Sequence, residues 1–391
     1  MAVDKMELLK RYKELKAQGV EITLMELKKQ MESGEVIEQV PQSQEPVVSE
    51  ERPVEEEPVQ QPQVTSSWTT SYYSQPTSTP IVSELETVST LVPQPILNVP
   101  QETVQQISLS KEAAKYCLIG YPLGHSLSTY IHDAGFASLG LNATYDILET
   151  PPDSLVDRIK FLKSNNYAGF NVTIPLKLPV TLFLNDIDIS ADIVGAVNTV
   201  VINPDRTMKG YNTDVIGFRN AIPKDFVLAG KVAGVLGTGG AARAAITALA
   251  QSQVRKIKVY TRNIPNCADL MKFLREKFPM IEFEVFQIER IRDLSDINIL
   301  VNTTPIGMQG RAADFTPIEE NELRTLPQDA LVYDVIYNPK KTILLKLAQK
   351  NGYRTINGVD MFIHQAVAAE EIWTGKTPDF KDMKIAALEN L

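Results

Sequence analysis

Four groups of side chains in this sequence are spaced for chemistry. Lys177 follows the run Gly169-Phe170-Asn171-Val172-Thr173-Ile174-Pro175. Proline lacks the N–H that a central strand must donate, so a strand through this run stops near Thr173 or Ile174. Lys177 then lies just past a strand's C-terminal end, the edge at which open α/β sheets bind ligands. A lone lysine there is ordinarily just solvated, so its neighbours must make the case for chemistry. Ser126 and Ser128 stand where a helix begins. Either could cap that helix, and two hydroxyls beside unpaired N–H groups also suit a carboxylate. Asp214 starts another helix, where it could be a plain N-cap.

The fourth group is Gly237-Thr238-Gly239-Gly240-Ala241-Ala242, a G-x-G-x-x-A run set between a strand and a helix. In that setting it is the dinucleotide-binding fingerprint: the first glycine permits the tight turn, the second lets backbone approach a pyrophosphate, and Ala242 allows close helix packing. The next strand ends in Thr261-Arg262-Asn263, where an NAD site has an acidic residue for the ribose. Arg262 can instead meet a 2′-phosphate through charge-assisted bonds, which favours NADP over NAD; otherwise it is a surface arginine.

The elements that must carry these groups alternate. Strands are expected at 115–120, 143–148, 169–174 and 195–202, then at 231–236, 256–260, 282–286, 297–301, 331–336 and 355–358. Helices are expected at 129–139, 152–163, from Asp214, up to Gln251, and at 342–351, 360–374 and 381–390. This alternation predicts an α/β fold. Two proline-containing loops, Asn302 to Met308 and Tyr337-Asn338-Pro339, fall at strand C-termini, and the helix over 360–374 carries Met361, His364 and Gln365.

Composition bounds the rest. A chain of 391 residues, 43% hydrophobic and 22% charged, has room for about two domains. Residues 1–110 hold 8 Lys+Arg against 17 Asp+Glu, which is the whole of the net charge of −9. The neutral remainder carries no basic excess that would suggest nucleic acid. Two cysteines support no disulfide framework, and no signal peptide or apolar run of membrane-spanning length is apparent, so a cytoplasmic setting is expected. Ten of the 24 prolines lie between Pro41 and Pro100, among Glu-rich and then Gln/Ser/Thr-rich pieces, so residues 36–113 read as a disordered linker. Residues 1–35 read as a short helical segment: Leu8, Leu9, Tyr12 and Leu15, then Leu24, Leu27 and Met31, keep helical spacing. It is either a helix pair or a dock for a protein partner.

From Tyr116 to the C-terminus the sequence resembles the shikimate dehydrogenases, which reduce 3-dehydroshikimate with NADPH. The resemblance is carried by Gly124 to Ser128, Asn171 to Lys177, Gly195-Ala196-Val197-Asn198-Thr199, Asn212-Thr213-Asp214, Gly237 to Ala241, Asn302 to Met308 and Asp360 to Gln365, in that order. It implies a substrate-binding α/β domain at 114–220, completed by 359–391, and an NADP-binding Rossmann domain at 221–358. Lys177 and Asp214 would form the catalytic dyad. Ser126 and Ser128 would hold the substrate carboxylate, with Tyr337 nearby, and Thr173, Asn198, Asp214 and Gln365 the ring hydroxyls. Gly237, Thr238, Gly239, Gly240, Ala241, Thr261, Arg262, Thr303, Gly358 and Met361 would line the NADP site. No metal is implied. Thr129 and Val215 stand where the family often has Pro and Gly; neither is a proposed catalytic side chain. The resemblance leaves a monomer and a homodimer open, and with them a quinate/shikimate dehydrogenase of broader specificity. A third reading is a ligand-binding scaffold recruited through the N-terminal extension.

Overall fold

The structure, a computed structural model, describes residues 113–124, 126–310 and 312–391, together with Arg11 and Met31. The helical segment expected at 1–35 and the linker expected at 36–113 lie outside the described residues, apart from Arg11 and Met31, both helical, and Ala113.

The chain enters β1 (Ala114–Gly120) and passes through α1 (Ser128–Ser138) to β2 (Ala143–Glu149). It then runs through α2 (Leu155–Ser164) to β3 (Tyr167–Val172). These three strands are parallel. β3 stops just short of Pro175, as a residue without an N–H requires. Beyond it come β4 (Asp186–Ile187), α3 (Ile189–Asp192), β5 (Thr199–Ile202), β6 (Met208–Tyr211) and α4 (Asp214–Ala221). The sheet order is β2-β1-β3-β5-β6-β4, with β5 antiparallel to both its neighbours. The strand expected over 195–202 begins only at Thr199, because Gly195 turns the chain at φ +68°. The pieces β4, β6 and α3, two to four residues long, are too short for periodicity to reveal.

A second sheet follows: β7 (Val232–Leu236), α5 (Gly240–Gln251), β8 (Lys256–Thr261), α6 (Ala268–Lys277), β9 (Glu282–Gln287), β10 (Ile299–Asn302), α7 (Glu320–Leu323), β11 (Leu331–Asp334), α8 (Ile343–Lys350) and β12 (Arg354–Ile356). Its order is β12-β11-β10-β7-β8-β9, and every pair is parallel. Helices cover both faces, so successive strand residues go to opposite cores. Ala233, Val235, Ile299, Val301 and Tyr333 pack with α5 and α6, while Val232, Leu236, Leu300 and Val332 pack with α8. The strand order reverses between β7 and β10, the crevice in which such sheets bind dinucleotides. No helix is expected at α6 from the sequence, although Leu270, Met271 and Leu274 do keep helical spacing.

Two last helices tie the sheets together. In α9 (Val359–Thr374), Met361 is buried in the core of the second sheet, whereas Trp373 stacks on Tyr116 of the first and donates Nε1–H to the Val200 carbonyl at 3.1 Å. Gly358 caps this helix against β11, where a Cβ would strike the Val335 carbonyl. Helix α10 (Phe380–Glu389) packs with α1 and α9 through Met383 and Ala387.

Candidate active site

Lys177 and Asp214 come from separate segments and meet. Lys177 follows β3, Asp214 is the first residue of α4, and the Lys177 Nζ lies 2.5 Å from Asp214 Oδ2. Their side chains are 13% and 8% exposed, so neither is a solvated surface group. Asp214 does not cap its helix; Thr213 occupies that position. The carboxylate faces outward from α4 instead. Its other oxygen accepts from Asn198 Nδ2 at 2.9 Å, and Asn212 Oδ1 accepts from the Asp214 backbone N–H.

The lysine chain also reaches the second sheet. A Cβ added to Gly240, the first residue of α5, would stand 3.0 Å from Lys177 Cδ. The ammonium is thereby held at the glycine-rich loop. That loop fits a dinucleotide. Gly237 turns at φ +108°, and a Cβ there would meet Thr303 Oγ1 at 2.7 Å. Gly239 adopts φ −76°, open to any residue, and a Cβ on it would meet nothing within 4 Å among the described residues. Nothing in the packing of the described residues requires glycine there, which leaves the backbone open to the approach of a phosphate. Gly239→Ala should therefore leave the melting temperature unchanged while raising the KM for NADP about tenfold, the cost of crowding a close contact. Parallel melting curves and steady-state kinetics check both halves. Arg262 directly follows β8 and is exposed, Thr261 is buried beside it, and the Thr303 hydroxyl donates to the Leu236 carbonyl at 2.5 Å.

On the other flank, the loops after β1 and β3 run side by side: the Thr173 N–H donates to the Ile119 carbonyl and the Tyr121 N–H to the Ile174 carbonyl, each at 2.9 Å. Ser126 sits on the first of these loops, and Ser128 is the first residue of α1. Neither is the N-cap, which is Leu127; the Ser128 N–H donates to Ser126 Oγ at 3.3 Å and the two hydroxyls are 3.1 Å apart. Tyr337 stacks on Phe362 at 4.4 Å and packs into the cluster that holds Ile131, one turn along α1 from Ser128. Burial pushes its hydroxyl above the ordinary tyrosine range. Gln365 lies on α9 against Gly217, one turn along α4 from Asp214. Gly358 and Met361 are packing positions between α9 and the second sheet.

Two family models match the chain. Residues 118–200 match the shikimate dehydrogenase substrate binding domain, and residues 358–388 match the shikimate 5′-dehydrogenase C-terminal domain. The NADP(+) shikimate dehydrogenase of Caldanaerobacter subterraneus is 40% identical over 261 residues, 66% of this chain and 91% of that protein. The chain belongs to the shikimate dehydrogenase (NADP+) family. A crystal structure of a shikimate dehydrogenase in complex with NADP+ superposes with a TM-score of 0.65 at 36% identity, covering 71% of this chain and 95% of the other. The quinate dehydrogenase of Corynebacterium glutamicum in complex with NAD gives the same TM-score at 29% identity, covering 71% and 99%. Overall fold therefore does not separate the two activities.

Several supports of this shikimate dehydrogenase site are absent from the sequence expectation. Asn198, expected to hold the substrate, is 2% exposed, and its amide is committed internally. Nδ2 donates to Thr213 Oγ1 and Asp214 Oδ1, while Oδ1 accepts from the Thr213 N–H and the Thr199 hydroxyl. Asn171 in turn donates to Thr199 Oγ1 at 3.0 Å and to the Asn198 carbonyl at 3.2 Å. Under the second sheet, Asp334 accepts from Thr342 Oγ1, Asn302 Nδ2 and the Ile336 N–H, which ties the loops after β10 and β11 together. Burial pushes its carboxyl up to about 6 against those three donors. Polar residues inside apolar strand runs were the available signal for Asn171, Asn302 and Asp334. Among the described residues, no cluster of His, Cys, Asp and Glu could hold a metal ion, and no helix is long and apolar enough to cross a membrane.

Proposed function

We propose that this chain reduces 3-dehydroshikimate to shikimate with NADPH, reversibly, in the route to aromatic amino acids. The observation that carries the reading is the Lys177–Asp214 pair, 2.5 Å apart, held against the first residue of the dinucleotide-loop helix. NADPH, when bound, supplies the hydride. Lys177 gives its proton to the oxygen of the carbonyl being reduced, and takes it back in the reverse direction. Asp214 orients the ammonium, and Asn198 fixes Asp214 from its other side. Ser126 and Ser128 take the substrate carboxylate at the head of α1, with Tyr337 near them; Thr173 and Gln365 take ring hydroxyls. Gly237 to Ala241 and Thr303 cradle the pyrophosphate, and Arg262 beside Thr261 reads the 2′-phosphate. The substrate-binding part is residues 114–220 completed by 359–391, and the NADP-binding part is 221–358.

The same reading places the enzyme in the cytoplasm, as a monomer or homodimer, and leaves residues 1–35 as either a helix pair or a dock for a protein partner. Two free, buried cysteines accord with a reducing setting. The intact Lys177–Asp214 pair speaks against a scaffold that has lost its chemistry. Steady-state assays of shikimate and quinate, each with NADP and with NAD, test the assignment. Shikimate with NADP should give the highest kcat/KM, because a site built to bond hydroxyls rejects analogues that place them differently. A higher value for quinate with NAD would make the chain a quinate dehydrogenase.

A further inference from the structure

A buried His–Glu pair lies outside the reaction described so far. Glu370 on α9 is 0% exposed and His132 on α1 is 1% exposed, with His132 Nδ1 2.8 Å from Glu370 Oε1. The two helices meet here so closely that a Cβ on Gly135 would strike the Glu370 carboxyl. The His132 ring stacks on Tyr145 with centroids 4.1 Å apart and planes 12° from parallel. The Tyr145 hydroxyl donates to Asn171 Oδ1 at 2.7 Å. From Asn171 the bonds run on to Thr199 Oγ1, from Thr199 to Asn198 Oδ1, and from Asn198 Nδ2 to Asp214 Oδ1. The path is unbroken, and Tyr145, Asn171, Asn198, Thr199 and Asp214 are all buried.

We infer that Glu370 is a positioning residue for the reaction: by bonding the His132 ring it sets the plane on which Tyr145 stacks, and Tyr145, through Asn171, Thr199 and Asn198, sets the carboxylate of Asp214. This rests on the dyad reading above. Burial disfavours charge on both partners. Burial pushes the Glu370 carboxyl up to about 9, with Asp133 adding to the rise, and pushes the His132 ring down to about 3, with Asn171 pulling back. In the neutral pair that this favours, the carboxyl O–H donates to Nδ1, which leaves the ring proton on Nε2. A buried network gains from complete satisfaction and loses sharply when one member fails. An acid at Glu370 that fixes one tautomer thus propagates to Asp214.

The test uses the full chain carrying Glu370→Leu, Glu370→Gln or Tyr145→Phe, with Lys177→Ala alongside, assayed with shikimate and NADP+. Glu370→Leu and Tyr145→Phe should each lower kcat about tenfold, the scale of a sub-ångström misplacement, with the KM for NADP unchanged. Glu370→Gln should recover most of the rate, because a carboxamide N–H also donates to Nδ1. The chain has three histidines, so ring ¹⁵N spectra resolve each one. His132 should be neutral with its proton on Nε2 in the wild type and in Glu370→Gln, and mixed in Glu370→Leu. Wild-type kcat in folded Glu370→Leu and Tyr145→Phe overturns the inference, as does a His132 proton on Nδ1 in the wild type. Should Glu370→Leu fail to fold, Tyr145→Phe and the wild-type spectrum decide. Loss of turnover in Lys177→Ala beside normal Glu370 and Tyr145 variants refutes the network alone; normal turnover in Lys177→Ala refutes the dyad reading beneath it.

Discussion

Replacing Lys177 by alanine is expected to lower kcat by about 10²–10⁴-fold, the range that a placed general acid supplies. A carbonyl that accepts hydride becomes an alkoxide, and the proton it needs must come from within hydrogen-bond reach. Lys177 is held for that task from two sides, by Asp214 at 2.5 Å and by its alkyl chain over Gly240. The alanine variant should still bind shikimate and NADP, because the serines at α1 and the glycine loop are untouched. It should also melt lower. Asp214, 8% exposed, keeps its bond from Asn198 but loses its paired ammonium, and an under-satisfied buried acceptor costs about 1–3 kcal/mol. Calorimetric binding of both ligands beside single-turnover kinetics separates these effects. Normal turnover would remove Lys177 from the mechanism.

The Gly-rich loop shows why part of this molecule was legible from sequence. Its turn, its strand before and its helix after are local, and each is encoded within a few residues, as the observed β7, Gly237 turn and α5 bear out. The same holds for the strand ending before Pro175. The short pieces between Lys177 and Asp214 are different. β4 and β6 form by pairing with each other and, for β6, with β5, so no window of sequence contains their cause. Asn198 was recognisable as a polar residue of interest, yet its commitment to Asp214 rather than outward depends on Thr213 arriving from a different strand end. The pairing of Lys177 with Asp214 could be taken only from resemblance, since their separation in sequence says nothing of their distance. Glu370 gave no signal at all: on a helix face with Glu371 beside it, it reads as solvated charge, and only the approach of His132 shows that it is buried.

Solved relatives of this fold are found with NADP and with NAD, and Arg262 is where the choice should be reversible. Arg262→Asp is expected to lower kcat/KM for NADP by about 10- to 100-fold, the worth of one or two charge-assisted hydrogen bonds. It should raise kcat/KM for NAD, because a carboxylate at this position can accept from the ribose 2′-OH and repels a 2′-phosphate. The position permits such a reversal without a folding cost. Arg262 is exposed past the end of β8, whereas the burial and bonding in its turn belong to Thr261, whose Oγ1 accepts from the Asn263 N–H at 3.3 Å. The melting temperature should therefore hold while the NADP/NAD ratio moves. Raising the salt concentration should shrink the wild-type preference for NADP, since an exposed guanidinium is screened, and leave the variant's ratio nearly flat. A ratio that did not move on substitution would place recognition of the 2′-phosphate on another residue.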